Sequence, residues 1–374
     1  MRILFYYPSN KRTISLESVM IGLKDKGHQV HLLTVCQEGA LHAHLKENGI
    51  TAGSAVVSRG NKMSYFIGHI RYLVAYCRTH QIHFVFSHLQ QANIIAVFAQ
   101  YFTKVKFVIF RHHFKFIQHI RDEYLKVNRN EYIADKIINR LSKKIVVPSR
   151  GVYEGMVTYE NVDKEKLSII PYTYVFSNYH AVSDERVQAI RSKYQASLLI
   201  IMCARLTPFK RHRVAFKVFN ALIKQEFDIK VMVMDEGEEK ESLMKYVADH
   251  ALKDRIYFLG YQNNILEYLA AADLLIHPSV TEASNSIVKE SALAGTPVVV
   301  CKGVGDFDDY IVNGQNSFSI SIEHTAEELE EVIKTVYTHR ELLDRYAHIL
   351  KADVISRFGE KDDTVLSQYE RLMD

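Results

Sequence analysis

The chain has 374 residues, 48% of them apolar and 24% charged, a balance that excludes a disordered or fibrous protein. Its formal charge of +4 hides a division: 24 basic side chains stand against 12 acidic ones through His180, and 23 against 31 beyond it. A length beyond the roughly 250–300 residues at which single cores stop growing, with halves of opposite charge, reads as two domains. Residues 3–7 form the first predicted strand, entered directly from Met1-Arg2 without a signal-peptide core. Leu16, Val19, Met20 and Leu23 then mark one face of a helix that Gly27 ends, and residues 30–35 are the second strand. Further strands are expected at 83–87, 107–110, 145–148 and 167–171. A second β/α series follows, with strands at 198–203, 229–234, 255–259, 273–277 and 297–301.

Apolar runs alternating with helix-period stretches predict an α/β fold of two Rossmann-like, doubly wound domains facing across a cleft, with ligands at the carboxyl ends of the strands. A polar stretch at 176–182 separates the two series, giving expected domains 1–178 and 179–358. The terminal segment 359–374 is expected to form a helix that packs back on the first domain. No apolar run approaches the ~20 residues that span a bilayer, so the expected location is cytoplasmic, or peripheral on the inner face of the cytoplasmic membrane.

Cys36, Cys77, Cys203 and Cys301 contain no C-x-x-C unit, and the 18 histidines show no metal-binding spacing, so reduced thiols and no metal site are expected. Between Asn48 and Arg121 there is no acidic residue but nine cations. Phe114, Ile117, Ile120 and Tyr124, with Lys115, Arg121, Lys126 and Arg129 around them, have the pattern of a basic amphipathic helix. Such a helix suits an anionic membrane surface, and equally a helix packed by its apolar face. No motif of the nucleic-acid-binding type appears.

The richest stretch runs from His277-Pro278-Ser279 through Glu282-Ala283-Ser284-Asn285-Ser286-Ile287 to Glu290 and Gly295-Thr296-Pro297. It reads as a strand end, a turn, a helix beginning near Asn285 and a new strand. The amides of Ser284, Asn285, Ser286 and Ile287 are unpaired at such a helix start, where a diphosphate is favoured. Earlier, Ala204-Arg205-Leu206-Thr207-Pro208-Phe209-Lys210 places an Arg and a Lys on one loop at a strand end, within reach of a single diphosphate.

Together these segments resemble the signatures of the retaining, nucleotide-sugar-dependent glycosyltransferases of family 4, which have the GT-B fold. Pro278, Ser279, Glu282, Glu290, Ala292, Gly295, Pro297 and Val298 fit the P-S-x-x-E … E … G-x-P-V pattern. Arg205 and Lys210 fit G-R-L-x-x-x-K-G, with the glycines replaced by Ala204 and Arg211. Met234-Asp235-Glu236-Gly237 is similar to the family's G-[DE]-G turn with Asp235 for its first glycine, and Phe258-Leu259-Gly260-Tyr261 to the segment bordering the nucleotide base. Tyr310 to Asn316 is similar to a further family turn. The first half matches more loosely. His88 ends one strand segment, and Ile109-Phe110-Arg111-His112-His113 resembles the strand that ends in a cleft histidine. The family's Gly-Gly loop is absent, with Pro8-Ser9-Asn10-Lys11-Arg12-Thr13 in its place, and Ile170-Pro171-Tyr172-Thr173 departs from I-P-N-G.

The resemblance implies that Glu282 holds donor-sugar hydroxyls and Glu290 the ribose. Arg205 and Lys210 would oppose the diphosphate, and His112 would be the cleft histidine, with His113 its rival one residue away. It implies a donor site of Glu290, Ser284, Asn285, Ser286, Ile287, Gly260 and Tyr261, and an acceptor side of His88, Arg111, His113, Lys11 and Arg12. It further implies catalysis by His112, Glu282, Arg205 and Lys210. The activity expected is metal-independent, retaining transfer from a nucleoside-diphosphate sugar, UDP favoured over GDP, to a hydroxyl of a glycan or lipid-linked acceptor in cell-surface polysaccharide or glycoconjugate synthesis. No cofactor beyond that co-substrate is implied. The alternatives are a nucleotide-sugar epimerase of the same fold and a catalytically silent protein that binds glycans or anionic surfaces.

Overall fold

The computed structural model describes residues 1–57, 61–113, 129–174, 176, 179, 181–359 and 363–374. They form two compact units, one from the chain up to Phe176 together with Phe358–Asp374, the other from Ser177–Arg357. The first is built on β1 (Arg2–Tyr7), β2 (Gln29–Thr34), β3 (Thr51–Ser54), β4 (Phe84–His88), β5 (Lys106–Phe110), β6 (Ile145–Val147) and β7 (Leu167–Ile169), in the order β3-β2-β1-β4-β5-β6-β7. The second contains β8 (Leu198–Cys203), β9 (Ile229–Met234), β10 (Ile256–Gly260), β11 (Leu274–His277), β12 (Val298–Cys301) and β13 (Phe318–Ile320), in the order β10-β9-β8-β11-β12-β13. The strands of both pair in parallel. The winding reverses between β1 and β4 and again between β8 and β11. A crevice opens at the carboxyl ends of the strands at each such reversal.

The sequence explains why these runs are strands. In β1, Ile3, Phe5 and Tyr7 join one apolar cluster while Leu4 and Tyr6 join another, because successive side chains of a strand point to opposite faces. A parallel sheet is covered on both faces, so its strands read as continuous apolar runs. The terminal helix Asp363–Arg371 brings Val365 and Tyr369 into the cluster of Ile3, Phe5 and Tyr7, and Leu372 and Met373 follow. Its Leu366 packs so closely on Gly22 that a Cβ there would lie 2.7 Å from Leu366 Cδ1. A larger residue at position 22 would make the Leu366 side chain shift.

Two strands lie outside the predicted set. β3 reads Thr-Ala-Gly-Ser, with no apolar run, and exists as an edge strand paired with β2 in the register His31↔Thr51. β13 has three residues, too few for periodicity to show. Of the predicted basic amphipathic helix, Phe114, Lys115, Ile117, Ile120, Arg121, Tyr124 and Lys126 lie outside the described residues, and Arg129 opens the helix Arg129–Leu141. Among the described residues, no helix is long and apolar enough to cross a membrane.

Candidate functional site

At the reversal between β8 and β11 the second unit holds a cavity of about 420 Å³, within the usual range for small-molecule sites. Arg205 and Lys210 line it from the loop after β8, Asp235 from the loop after β9, and Tyr261 from the loop after β10. His277 enters at the end of β11, and Asn285, Ser286, Ile287 and Glu290 come from the start of the helix Ser286–Ala294. Asn285 is extended and caps that helix, its Oδ1 accepting from the Val288 amide at 3.3 Å. The positive end of the helix and two cations thus converge on one cavity.

Glu282, Ser284 and Gly260 border this group without lining the cavity. Lys210 Nζ donates to Glu282 Oε1, which also accepts from His277 Nε2 at 2.7 Å. Burial alone would raise the Glu282 carboxyl, but His277 and Lys210 outweigh it and hold the group far below the usual carboxylate range. Glu290 behaves oppositely. Burial raises its carboxyl, partly offset by the Tyr179 hydroxyl, which donates to Oε1 at 3.1 Å, and by the Lys289 charge. Burial also pushes the Cys203 thiol up to about 12, so it lines the cavity as a neutral group.

The loops are held by strained backbone where the family has glycine. Asp235 has φ +83° and Arg211 φ +59°, in the left-handed region that L residues enter at a cost of roughly 1–2 kcal/mol. Each strained residue has compensation. Asp235 Oδ1 accepts from the Glu236 amide at 2.8 Å. The Arg211 guanidinium is buried and donates to Ile322 O (3.1 Å) and Thr325 Oγ1 (2.9 Å). The glycine that is retained, Gly237, cannot be replaced: a Cβ would stand 2.2 Å from Leu206 O, because this turn packs on the Arg205 loop. The two loops also exchange hydrogen bonds, Leu206 N to Glu236 O and Glu239 N to Leu206 O, both 3.0 Å.

Beneath the helix start lies a pair the motifs did not single out. Lys289, 1% exposed, donates to Asp306 Oδ2 at 2.7 Å. In sequence Lys289 looks like a solvated cation beside Glu290, and no local signal betrays its burial. His277, Tyr172 and Tyr179 were likewise given no role by the motifs. Only His277 carried a hint, as the last residue of a strand before Pro278-Ser279.

In the first unit a small cavity at the reversal between β1 and β4 is lined by Tyr7, Thr13, His88, His112, Tyr172 and Tyr369, among others. His88 Nδ1 and His112 Nε2 are 3.3 Å apart, and His112 Nδ1 is hydrogen-bonded to the Tyr172 hydroxyl. Burial pushes His112 down to about 3 and lowers His88 as well, so both are neutral at pH 7. His112 lines this cavity and its rival His113 does not; the His113 side chain is exposed and its carbonyl accepts from Arg111 Nη2 at 3.2 Å.

Arg111 corrects the expected acceptor side. It is 4% exposed and bonded to Asn139 (2.5 Å) and Glu160 (3.2 Å), with Asp135 at 3.5 Å. An unpaired buried guanidinium is costly, so it turns inward to the carboxylates rather than to a ligand. Arg12 is bound to the buried Glu17 at 2.7 Å, and Glu17 also accepts from the Thr13 amide at 2.7 Å. The loop that lacks the Gly-Gly pair is therefore pinned by a carboxylate. Lys11 is exposed, and its amide donates to Ser9 Oγ at 3.2 Å. Neither Lys11 nor Arg12 lines the cavity.

Two doubly wound parallel-sheet units on one chain, the second with cations and a helix start at its reversal point, define the GT-B architecture. Solved structures share that fold over the whole chain. HepE of Anabaena in complex with UDP superposes with a TM-score of 0.81, covering 100% of this chain and 99% of that one at 19% identity. WaaG, a glycosyltransferase involved in lipopolysaccharide biosynthesis, gives 0.72 at 14% identity, covering 100% and 99%. The family model Glycosyltransferase Family 4 matches residues 14–172, and Glycosyl transferases group 1 matches residues 183–351. The chain belongs to the GT-B glycosyltransferases of family 4.

Among curated relatives, the N-acetylgalactosamine-N,N'-diacetylbacillosaminyl-diphospho-undecaprenol 4-alpha-N-acetylgalactosaminyltransferase of Campylobacter jejuni is 26% identical over 231 residues, 60% of this chain and 59% of its own. The N-acetyl-alpha-D-glucosaminyl L-malate synthase of Bacillus anthracis is 25% identical over 181 residues, 48% of this chain and 45% of its own. The chain spans about half the length of the curated relatives it matches.

Proposed function

We propose that the protein transfers a sugar, with retention and without a metal ion, from a nucleoside-diphosphate donor to a hydroxyl of a glycan or lipid-linked acceptor. The observation that carries this reading is the convergence of Arg205, Lys210 and the Asn285-capped helix start on one cavity. A leaving diphosphate gathers negative charge as the glycosidic bond breaks, and preorganised cations and amides stabilise that charge where it develops. Glu290, on the same cavity, faces the ribose in this reading, and Tyr261, 75% exposed, offers a ring for the base. Glu282, ionised and held by Lys210 and His277, aligns sugar hydroxyls next to the diphosphate.

UDP is the favoured nucleotide, since HepE of Anabaena has been crystallised with UDP and with UDP-glucose. The relative from Campylobacter jejuni is named for a diphospho-undecaprenol acceptor, which supports a lipid-linked acceptor here. His112, with His88 beside it, is assigned to the acceptor side, and the basic first half to an anionic membrane surface on the cytoplasmic side. Calorimetric titration with UDP and GDP, followed by donor-acceptor incubations with product anomers read by NMR, tests the reading. The expected result is tighter binding of UDP and a product that keeps the donor's anomeric configuration. No binding of either nucleotide at millimolar concentration, or an inverted product, overturns it.

A further inference from the structure

The buried Lys289–Asp306 pair lies between two loops at the carboxyl ends of neighbouring strands. One follows β11 and contains Glu282, Ser284 and Asn285; the other follows β12 and contains Gly303, Gly305 and Asp306. Besides its 2.7 Å bond to Asp306 Oδ2, Lys289 Nζ donates to Ser284 Oγ (3.0 Å) and Asn285 O (3.1 Å). Ser284 Oγ donates in turn to Asp306 Oδ2 at 2.6 Å. The loops also touch directly. Gly305 has φ +58°, and a Cβ there would lie 2.8 Å from Glu282 Cβ and 3.1 Å from Ala283 O. Asp306 is 2% exposed, so the pair is shielded from solvent and its interactions are little screened.

A buried ion pair of this kind is weak evidence for stability, since an apolar pair of similar volume often serves as well. Its bonds here converge on the backbone and hydroxyl of the two residues that open the helix Ser286–Ala294. We propose that Lys289 and Asp306 are positioning residues: they lock the loop after β11 to the loop after β12 and so fix the spacing between Glu282 and the helix-start amides. The proposal rests on the reading that those groups take the donor, but the lock exists without a ligand. Donor binding then needs little reordering of the loop, which favours affinity.

The test uses the double variant Lys289→Met/Asp306→Leu in the full chain, which removes both charges together and leaves neither unpaired. Its melting temperature is expected to stay within a few degrees of the parent's. Hydrogen exchange of the backbone amides of residues 283–287 without ligand is expected to speed up about tenfold, and the UDP dissociation constant to rise about tenfold. Ser284→Ala, which keeps every charge and every amide, should move exchange the same way by a smaller factor, and serves as the test if the double variant does not fold. Unchanged exchange at 283–287 overturns the proposal. Faster exchange in a protein whose parent form binds no nucleotide upholds the lock and overturns the donor reading instead.

Discussion

The two units share one strand order over six strands, the first adding β7 at its edge, and differ in what they place at the point of reversal. In the second, Arg205, Lys210 and a capped helix start surround the cavity, with an ionised Glu282 behind them. In the first, tyrosines and two neutral histidines do, and Arg111, at the end of β5, is held by carboxylates inside the core. The topology supplies the crevice and leaves its chemistry to the loops. In the proposed function the diphosphate goes to the second unit and the hydroxyl-bearing acceptor to the first. Net charge misleads here, because the acidic half carries the cavity lined by Arg205 and Lys210 and the basic half a nearly uncharged one.

Substitutions can break that contrast, and the largest effect is expected where charge is structural. Arg111→Met removes the guanidinium beside the buried Glu160 and Asp135, which keep Asn139 and Gln90 as neutral partners, and should destabilise the first unit by about 3–5 kcal/mol in denaturant unfolding. Parent-like stability would return Arg111 to the list of ligand-facing groups. Lys210→Ala should keep the fold while lowering kcat/KM about 10²–10³-fold, the usual loss for one preorganised donor at a developing anion. Steady-state kinetics with the donor found by nucleotide titration measures this, and full activity would contradict the anion-site reading. Glu290→Ala should weaken nucleotide binding by about 1.5–3 kcal/mol in calorimetry, the range for hydrogen bonds to a charged group.

The smallest effect concerns neutral histidines, which the two units share. His112 in the first and the fully buried His212 in the second are both pushed down to about 3 by burial. Unfolded, each titrates near 6.5, so below that pH the unfolded chain binds more protons and stability falls as the solution is acidified. The loss should be about 1 kcal/mol per histidine between pH 6.5 and 5.5, continuing toward pH 3. Thermal unfolding against pH checks it: His212→Phe should flatten the slope, and an unchanged slope would show that His212 is protonated in the native state.

Much of this was legible in the sequence. The central strands were, because strands covered on both faces need continuous apolar runs, as at Leu198–Cys203. β3 was not, since Thr-Ala-Gly-Ser is held by backbone pairing along β2 and not by side-chain pattern. In the site, Arg205, Lys210, Asn285 and Glu290 were legible because their chemistry sits in short local motifs. The missing glycines at 211 and 235 were visible too, but their compensations were not: Arg211 bonds to Thr325, more than a hundred residues away.

By itself, the sequence determined the α/β class, the two β/α series and the short motifs whose residues line one cavity, because each depends on neighbours along the chain. Tertiary structure decided which charged groups face a cavity and which are consumed by the fold. Arg111 and Lys210 are both cations in strand-end loops, and Lys289 and Glu290 are adjacent on one helix. What separates them is the cost of burying a charge, which is met only by partners that folding brings from elsewhere: Glu160 for Arg111, Asp306 for Lys289.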